Sequence, residues 1–330
     1  MGKLRLTMAC WDYDRTRALM DERVQLDGIE LTYLNLPVEE TFFRMARHRE
    51  FDISELSLSS YTLSLFRENP NLIAIPIFPS RYFRHSCIYI NADSGIEKPQ
   101  DIVGKRVGNP EYQMTAPVWI RGIMQDEFGV APAANTYLSG GEEEPGRHEK
   151  ISLALPPPHK LDTIPVDKTL SKMLESGEID ALYTARAPST FYTNPAKVKR
   201  LFPDYPARER DYFQRTGIFP TMHIIAMRRD VYEKNRWIAQ SLMKGFIEAQ
   251  KITYDDLHVT AALKMMLPWL THHVEETEAL MGRDFWPYGL EANIKPLTTF
   301  LRYHYEQGLS KRMLTPAELF APESLEAFKI

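Results

Sequence analysis

"FRMARHREFDIS", residues 43–54, and "SKMLESGEIDAL", residues 171–182, align without a gap. Met45 falls on Met173, Glu50 on Glu178 and Asp52 on Asp180. Each stretch spaces its apolar residues for a helix, turns, and becomes a short apolar strand. One helix–turn–strand unit used twice predicts two lobes on a common plan. Both strands then run into polar groups. Glu55, Ser57 and Ser59 follow the first; Tyr183, Thr184 and Arg186 follow the second, where Pro188 ends the extended run. An open α/β sheet meets its ligand beyond the carboxyl ends of its strands.

The flanking sequence supports that plan. "KLRLTMAC" (3–10), "IELTYLNL" (29–36) and "FDISELS" (51–57) read as strands, with "DYDRTRALMDERV" and "VEETFFRMARHR" as helices between them. This β-α-β-α-β order predicts a largely parallel sheet. "SYTLSLFREN" reads as a helix, and "LIAIPIFPS" and "HSCIYIN" as strands. A second unit then starts with "KRVGNP" as a strand. "TAPVWIRGIMQDEFG" follows as a helix, with Thr115 as N-cap and Gly129 just past the end. Residues 139–160 are rich in Gly, Pro and charge and read as an excursion. After the strand in "TGIFPTMHIIAMRR" the chain is helical, in segments reaching 316–328. A tail without a sheet of its own should pack back on the first lobe. The expected architecture is α/β and two-lobed, with lobe one at 1–92 plus 222–330, an inserted lobe two at 93–221, and a cleft between them.

Composition narrows the function. The 330 residues carry 44% hydrophobic and 25% charged residues, as in an ordinary globular protein. The net charge of −4 without a basic block argues against nucleic acid. No run of about 20 apolar residues reads as a membrane span, and the N-terminal stretch lacks a signal-peptide core, so the expectation is a cytoplasmic protein. Cys10 and Cys87 read as packed free thiols. Trp237, Trp269, Phe285 and Trp286 in the tail would suit a homo-oligomer contact, with core packing the plainer reading.

The strand ends supply a candidate site. Trp11, with Asp12, Asp14 and Arg15, follows the first strand; Arg81, Arg84 and His85 sit in "PSRYFRHS"; Asn109, Tyr112 and Thr115 follow the sixth predicted strand; His223 lies on the second crossover. Two arginines, Arg84 and Arg186, one from each lobe, can hold carboxylates in bidentate fashion. His85 or His223 can move a proton near neutral pH. Glu55, or the other histidine, is the candidate base. Trp11, Tyr112, Tyr183, Asn109, Ser57, Ser59 and the helix start at Thr115 would orient a flat ring. A dinucleotide fingerprint, a P-loop, a nucleophile elbow and paired zinc motifs are all missing, so hydride transfer, phosphoryl transfer and serine hydrolysis lack their usual machinery. A divalent metal on His85, His223 and Glu55 is chemically suitable but not demanded by spacing.

The chain resembles the 4,5-dihydroxyphthalate decarboxylase family. The likeness lies in "ACWDYDRT" (9–16), "LDGIELTYL" (26–34), "FDISELSLSSY" (51–61), "IPIFPSRYFRHSCIYIN" (75–91), "GIEKPQDIVGKRVGNPEYQMTAPVWIRGIMQDEFGV" (95–130) and "IFPTMHIIAMRRDVY" (218–232). It runs in order along nearly the whole chain and is weakest at 139–160 and the extreme C-terminus. It implies a type II periplasmic-binding-protein fold and no organic cofactor. It also implies loss of CO2 from a small aromatic dicarboxylate, 4,5-dihydroxyphthalate, giving 3,4-dihydroxybenzoate (protocatechuate) in phthalate catabolism. The competing readings are a solute-binding protein and an enzyme for another hydroxylated aromatic acid.

Overall fold

The computed structural model describes residues 2–325. Two compact units emerge. The first comprises 2–81, His223–Lys295 and 314–325; the second comprises Tyr82–Met222 and Pro296–Met313. The chain therefore enters the second unit at Tyr82, ahead of the 92/93 boundary expected from sequence. Residues 85–91 go with the second unit because Ile88–Asn91 hydrogen-bonds to strands of that unit. Part of the C-terminal tail also packs there: the Trp119 ring lies 5.7 Å from Phe300 and 5.6 Å from Tyr303.

The first unit holds β1 (Leu4–Cys10), β2 (Ile29–Asn35), β3 (Ile53–Ser57), β4 (Leu72–Ile75) and β11 (His223–Arg228), ordered β2-β1-β3-β11-β4. β1 is parallel to β2 and β3, whereas β11 is antiparallel to both β3 and β4. The sheet is thus mixed rather than largely parallel, because the strand that re-enters after residue 222 runs the opposite way. Met8, Cys10, Ile53, Ile225 and Met227 form its core with Leu242 and Phe246 of the helix Ile238–Leu257. Fully burying such side chains contributes about 1.5–3 kcal/mol each.

The second unit holds β5 (Ile88–Asn91), β6 (Arg106–Asn109), β7 (Thr136–Ser139), β8 (Lys160–Thr163), β9 (Ala181–Tyr183) and β10 (Val198–Arg200), ordered β10-β5-β9-β6-β7-β8. β9, β6, β7 and β8 are parallel, and β5 is antiparallel to β9 and β10. The edge strands β8 and β10 and the polar helix Tyr205–Thr216 escape the sequence reading. Edges exposed on one side carry few of the apolar residues that mark a strand. Gly122, on the helix Thr115–Phe128, lets the Tyr303 ring approach: a Cβ there would meet it at 2.1 Å.

Two local expectations change. Met114, not Thr115, occupies the N-cap of Thr115–Phe128, and Thr115 is the first helical residue. The expected helix at 316–328 is two short 3₁₀ turns, Pro316–Leu319 and Pro322–Ser324, and positions past 325 lie outside the described residues. Gly129 ends its helix in the left-handed region, as expected.

The repeated unit is repeated in its bonding. Arg49 (φ 53°) and Gly177 (φ 79°), equivalent in the alignment, both cap their helices in the left-handed region. Asp52 Oδ2 accepts the Thr7 N–H of β1 at 2.8 Å. Asp180 Oδ2 accepts the Arg106 N–H of β6 at 2.9 Å. Each aspartate thereby ties the entry of its strand to the neighbouring strand.

Candidate active site

β3 carries Glu55 into the interior of the first unit, where it is wholly buried. β11 runs antiparallel beside it, pairing Ser57 with His223 and Glu55 with Ile225. This register places His223 Nδ1 2.6 Å from Glu55 Oε1. The same oxygen accepts the Tyr13 hydroxyl at 2.7 Å. Glu55 Oε2 accepts the Trp11 N–H at 3.1 Å and faces Cys10 Sγ at 3.7 Å. Burial pushes the Glu55 carboxyl up. The His223 hydrogen bond and charge, with Tyr13 and Trp11, outweigh that and hold it below the usual carboxylate range. Glu55 is therefore ionised at neutral pH and can only accept hydrogen bonds. The proton between it and His223 belongs to Nδ1.

That leaves His223 Nε2 as the variable position of the pair. It has no hydrogen bond among the described residues, and the His223 side chain is 18% exposed while Glu55 is 0% exposed. The Phe42 ring stands edge-on to the imidazole at 4.9 Å and limits its rotation. Burial and the Glu55 charge push the Tyr13 phenol far above its ordinary value, so Tyr13 acts as a fixed donor. Burial, then Glu55, likewise pushes the Cys10 thiol up, which keeps it a thiol.

The structure therefore brings together Glu55, His223 and the Trp11 backbone, with the Trp11 ring 40% exposed. Ser57 accepts the Ser60 N–H at the start of the helix Leu58–Ser64, and Ser59 is buried in its first turn. Arg81, buried in the same unit, donates to Pro287 O at 2.8 Å and to Asn293 Oδ1. It thus anchors the 287–293 segment.

The other expected residues fall in the second unit, so Arg84 and Arg186 come from one unit rather than from two. Arg84 is buried; its Nε faces Met222 Sδ at 3.1 Å and its Nη1 reaches Cys87 Sγ at 3.5 Å and Ala185 O at 3.3 Å. Arg186, next in sequence to that carbonyl, is exposed, and its N–H donates to Thr184 Oγ1. His85 is buried against Tyr212 at 5.3 Å and Phe202 at 5.8 Å. Burial lowers its pKa to about 4, so at neutral pH it is an uncharged imidazole. Asn109, Tyr112, Thr115 and Tyr183 are all buried. Asn109 Oδ1 accepts Arg121 Nη1 at 3.1 Å, the Tyr112 ring lies 3.8 Å beneath the Arg121 guanidinium, and the Tyr183 hydroxyl has no partner among the described residues.

Arg121 and Tyr13 are the two residues that sequence reasoning passes over. Arg121 is 1% exposed within an apolar helix, and it donates to Gln307 Oε1 at 2.7 Å and to Tyr112 O at 2.5 Å. The lone cation in "APVWIRGIM" was a legible signal of a buried, hydrogen-bonded arginine. Tyr13 gave none, because only the fold brings its hydroxyl to Glu55. Among the described residues no group of three or more His, Cys, Asp or Glu side chains could hold a metal ion.

Mixed sheets flanked by helices in both units define a protein of the periplasmic-binding-protein-like class. The alkanesulfonate-binding protein of Xanthomonas axonopodis pv. citri superposes over 97% of this chain and 98% of its own, with a TM-score of 0.51 at 12% identity. No family model matches the sequence. Over 330 residues, spanning both chains completely, the protein is 42% identical to a 4,5-dihydroxyphthalate decarboxylase of Comamonas testosteroni. Over 214 residues, 65% of this chain and 83% of the relative, it is 45% identical to that of Pseudomonas putida. The chain belongs to the 4,5-dihydroxyphthalate decarboxylase family.

Proposed function

We propose that this protein is a carboxy-lyase that converts 4,5-dihydroxyphthalate to 3,4-dihydroxybenzoate and CO2, with His223 as the proton donor. The observation that carries the assignment is the 2.6 Å contact between His223 Nδ1 and a carboxylate that is 0% exposed. An aryl carboxylate does not leave directly, because its bonding pair would enter an sp² orbital orthogonal to the ring. The hydroxyl para to the carboxylate offers a route. Loss of its proton to solvent water pushes electron density onto the carbon bearing the carboxylate. The imidazolium Nε2–H delivers a proton to that carbon, giving a non-aromatic ketone. The C–CO2 bond then breaks, its electron pair restores the ring and the phenolate, and the phenolate recovers a proton. Each turnover consumes one proton and needs no electron acceptor.

Glu55 acts through His223 rather than on substrate, since the buried carboxylate is already occupied by its donors. It fixes the ring tautomer and stabilises the imidazolium, and so supports a proton transfer of the kind that contributes about 10²–10⁴-fold. His85, uncharged at neutral pH, is assigned no proton transfer. No described helix is long and apolar enough to cross a membrane. The reading places the enzyme in the cytoplasm.

Purified protein incubated with 4,5-dihydroxyphthalate should release CO2 and 3,4-dihydroxybenzoate in equal amounts. His223→Ala should lower kcat by at least a hundredfold while leaving the fold intact by circular dichroism. Tight binding of the dicarboxylate without release of CO2 would instead make the protein a solute-binding one, and near-normal turnover by His223→Ala would remove His223 from the chemistry.

A further inference from the structure

A cavity of about 240 Å³ opens within the first unit, and neither Glu55, His223 nor Trp11 lines it. Its walls come from the helices Ile238–Leu257 and Leu270–Met281 and from Phe285 and Trp286; Val274 and Leu257 add apolar surface, and Thr277 adds a hydroxyl. Arg15 also lines it. Its guanidinium lies against two rings, 4.2 Å from the Tyr13 centroid and 4.3 Å from that of Trp286. Nε donates to Pro79 O at 2.6 Å and Nη1 to Asp14 Oδ1 at 2.9 Å. Nη2 has no hydrogen bond among the described residues.

A mostly apolar pocket with one oriented cationic edge suits a flat ring bearing a single carboxylate. With two rings against the guanidinium and Nε and Nη1 already bonded, Nη2 is the group left for an anion. Asp14 flanks that edge, and its charge opposes a second carboxylate. Such a cavity would favour one carboxylate over two on similar rings. That is the difference between the product and the substrate of the reaction proposed above.

We propose that this cavity is a second binding site, for a monocyclic aromatic monocarboxylate, and that its occupancy reaches the Glu55–His223 pair through Arg15 and Tyr13. Arg15 stacks on the Tyr13 ring, and the Tyr13 hydroxyl donates to the Glu55 oxygen that also faces His223. An anion that draws Arg15 along its open edge alters the stacking that fixes Tyr13. The coupling is reciprocal, so the state of the catalytic pair alters affinity in the cavity. The identity of the effector as product rests on the proposed reaction; the cavity's preference for one carboxylate does not.

The test is equilibrium binding of 3,4-dihydroxybenzoate, with phthalate as the two-carboxylate comparison, to the full chain and two variants. Val274→Trp fills the cavity, and Thr277→Glu places a carboxylate on its wall. Wild type should bind at least one more equivalent of 3,4-dihydroxybenzoate than of phthalate, and each variant should weaken that extra site at least tenfold. In kinetics, the component of product inhibition that lowers kcat should disappear in both variants, with uninhibited turnover within twofold of wild type. A folded Val274→Trp protein that keeps the extra site at wild-type affinity would overturn the proposal. If that variant does not fold, unchanged binding by Thr277→Glu overturns it equally. Loss of the extra site in a protein that releases no CO2 from 4,5-dihydroxyphthalate would sink the proposed reaction and leave the cavity's assignment standing.

Discussion

Met45–Ser57 and Met173–Ala185 start alike and end differently. In both, a left-handed residue stops the helix, and an aspartate accepts the backbone N–H of the adjacent strand. Three residues past that aspartate the first stretch has Glu55 and the second has Tyr183, both wholly buried. Glu55 is surrounded by Tyr13, Trp11, Cys10 and His223, and it stays ionised. The Tyr183 hydroxyl finds no partner among the described residues, and burial pushes its pKa well up. The lesson is that a shared scaffold does not imply shared chemistry. The aspartates build the strand; the residue at its end is chemical only where donors from other elements converge on it.

Replacing those strand-end residues breaks the comparison most sharply. Glu55→Gln removes the charge that holds the imidazolium, and kcat/KM should fall by about a hundredfold or more, within the range of general acid–base help. Tyr183→Phe removes a hydroxyl that makes no hydrogen bond, so turnover should hold and thermal stability should stay level or rise, because burying an unpaired hydroxyl costs about 1–3 kcal/mol. Equal losses of activity in the two variants would erase the distinction.

The shared aspartates come next in size. Asp52→Ala and Asp180→Ala each remove the acceptor of a strand N–H, part-buried at Thr7 and exposed at Arg106, and each should cost about 0.5–1.5 kcal/mol in denaturant unfolding. A large cost at one position and none at the other would mean that the repeat is in sequence only. The smallest effect is expected for Tyr13→Phe. Without that donor on Oε1 the Glu55 carboxylate keeps its contacts to His223 and the Trp11 N–H, so kcat/KM should fall only a few-fold. A loss as large as that of Glu55→Gln would make Tyr13 indispensable to the pair, and no change at all would separate it from the pair.

Much of the scaffold was legible without coordinates. Hydrophobic periodicity located nine of the eleven described strands, all but the edge strands β8 and β10, which carry few apolar residues. Strand direction was less legible: an antiparallel β11 and a parallel one carry the same apolar pattern. The membership of 296–313 was also hidden, since an amphipathic helix records that it has a buried face but not which sheet receives it. At the site, strand ends pointed to Glu55 and His223 separately. Their pairing depends on the register of β11 against β3.

By itself the sequence determined the repeated helix–turn–strand unit, the two-unit α/β plan and the family. These follow from periodicity, spacing and residue identity, which are local along the chain or comparable position by position. Only the tertiary structure decided which acid meets which histidine, that Tyr13 shares the same carboxylate oxygen, and that Arg121 and Tyr112 face each other in the interior. Hydrogen bonds of 2.6–2.7 Å are made between residues up to 168 positions apart, and no local pattern encodes that convergence.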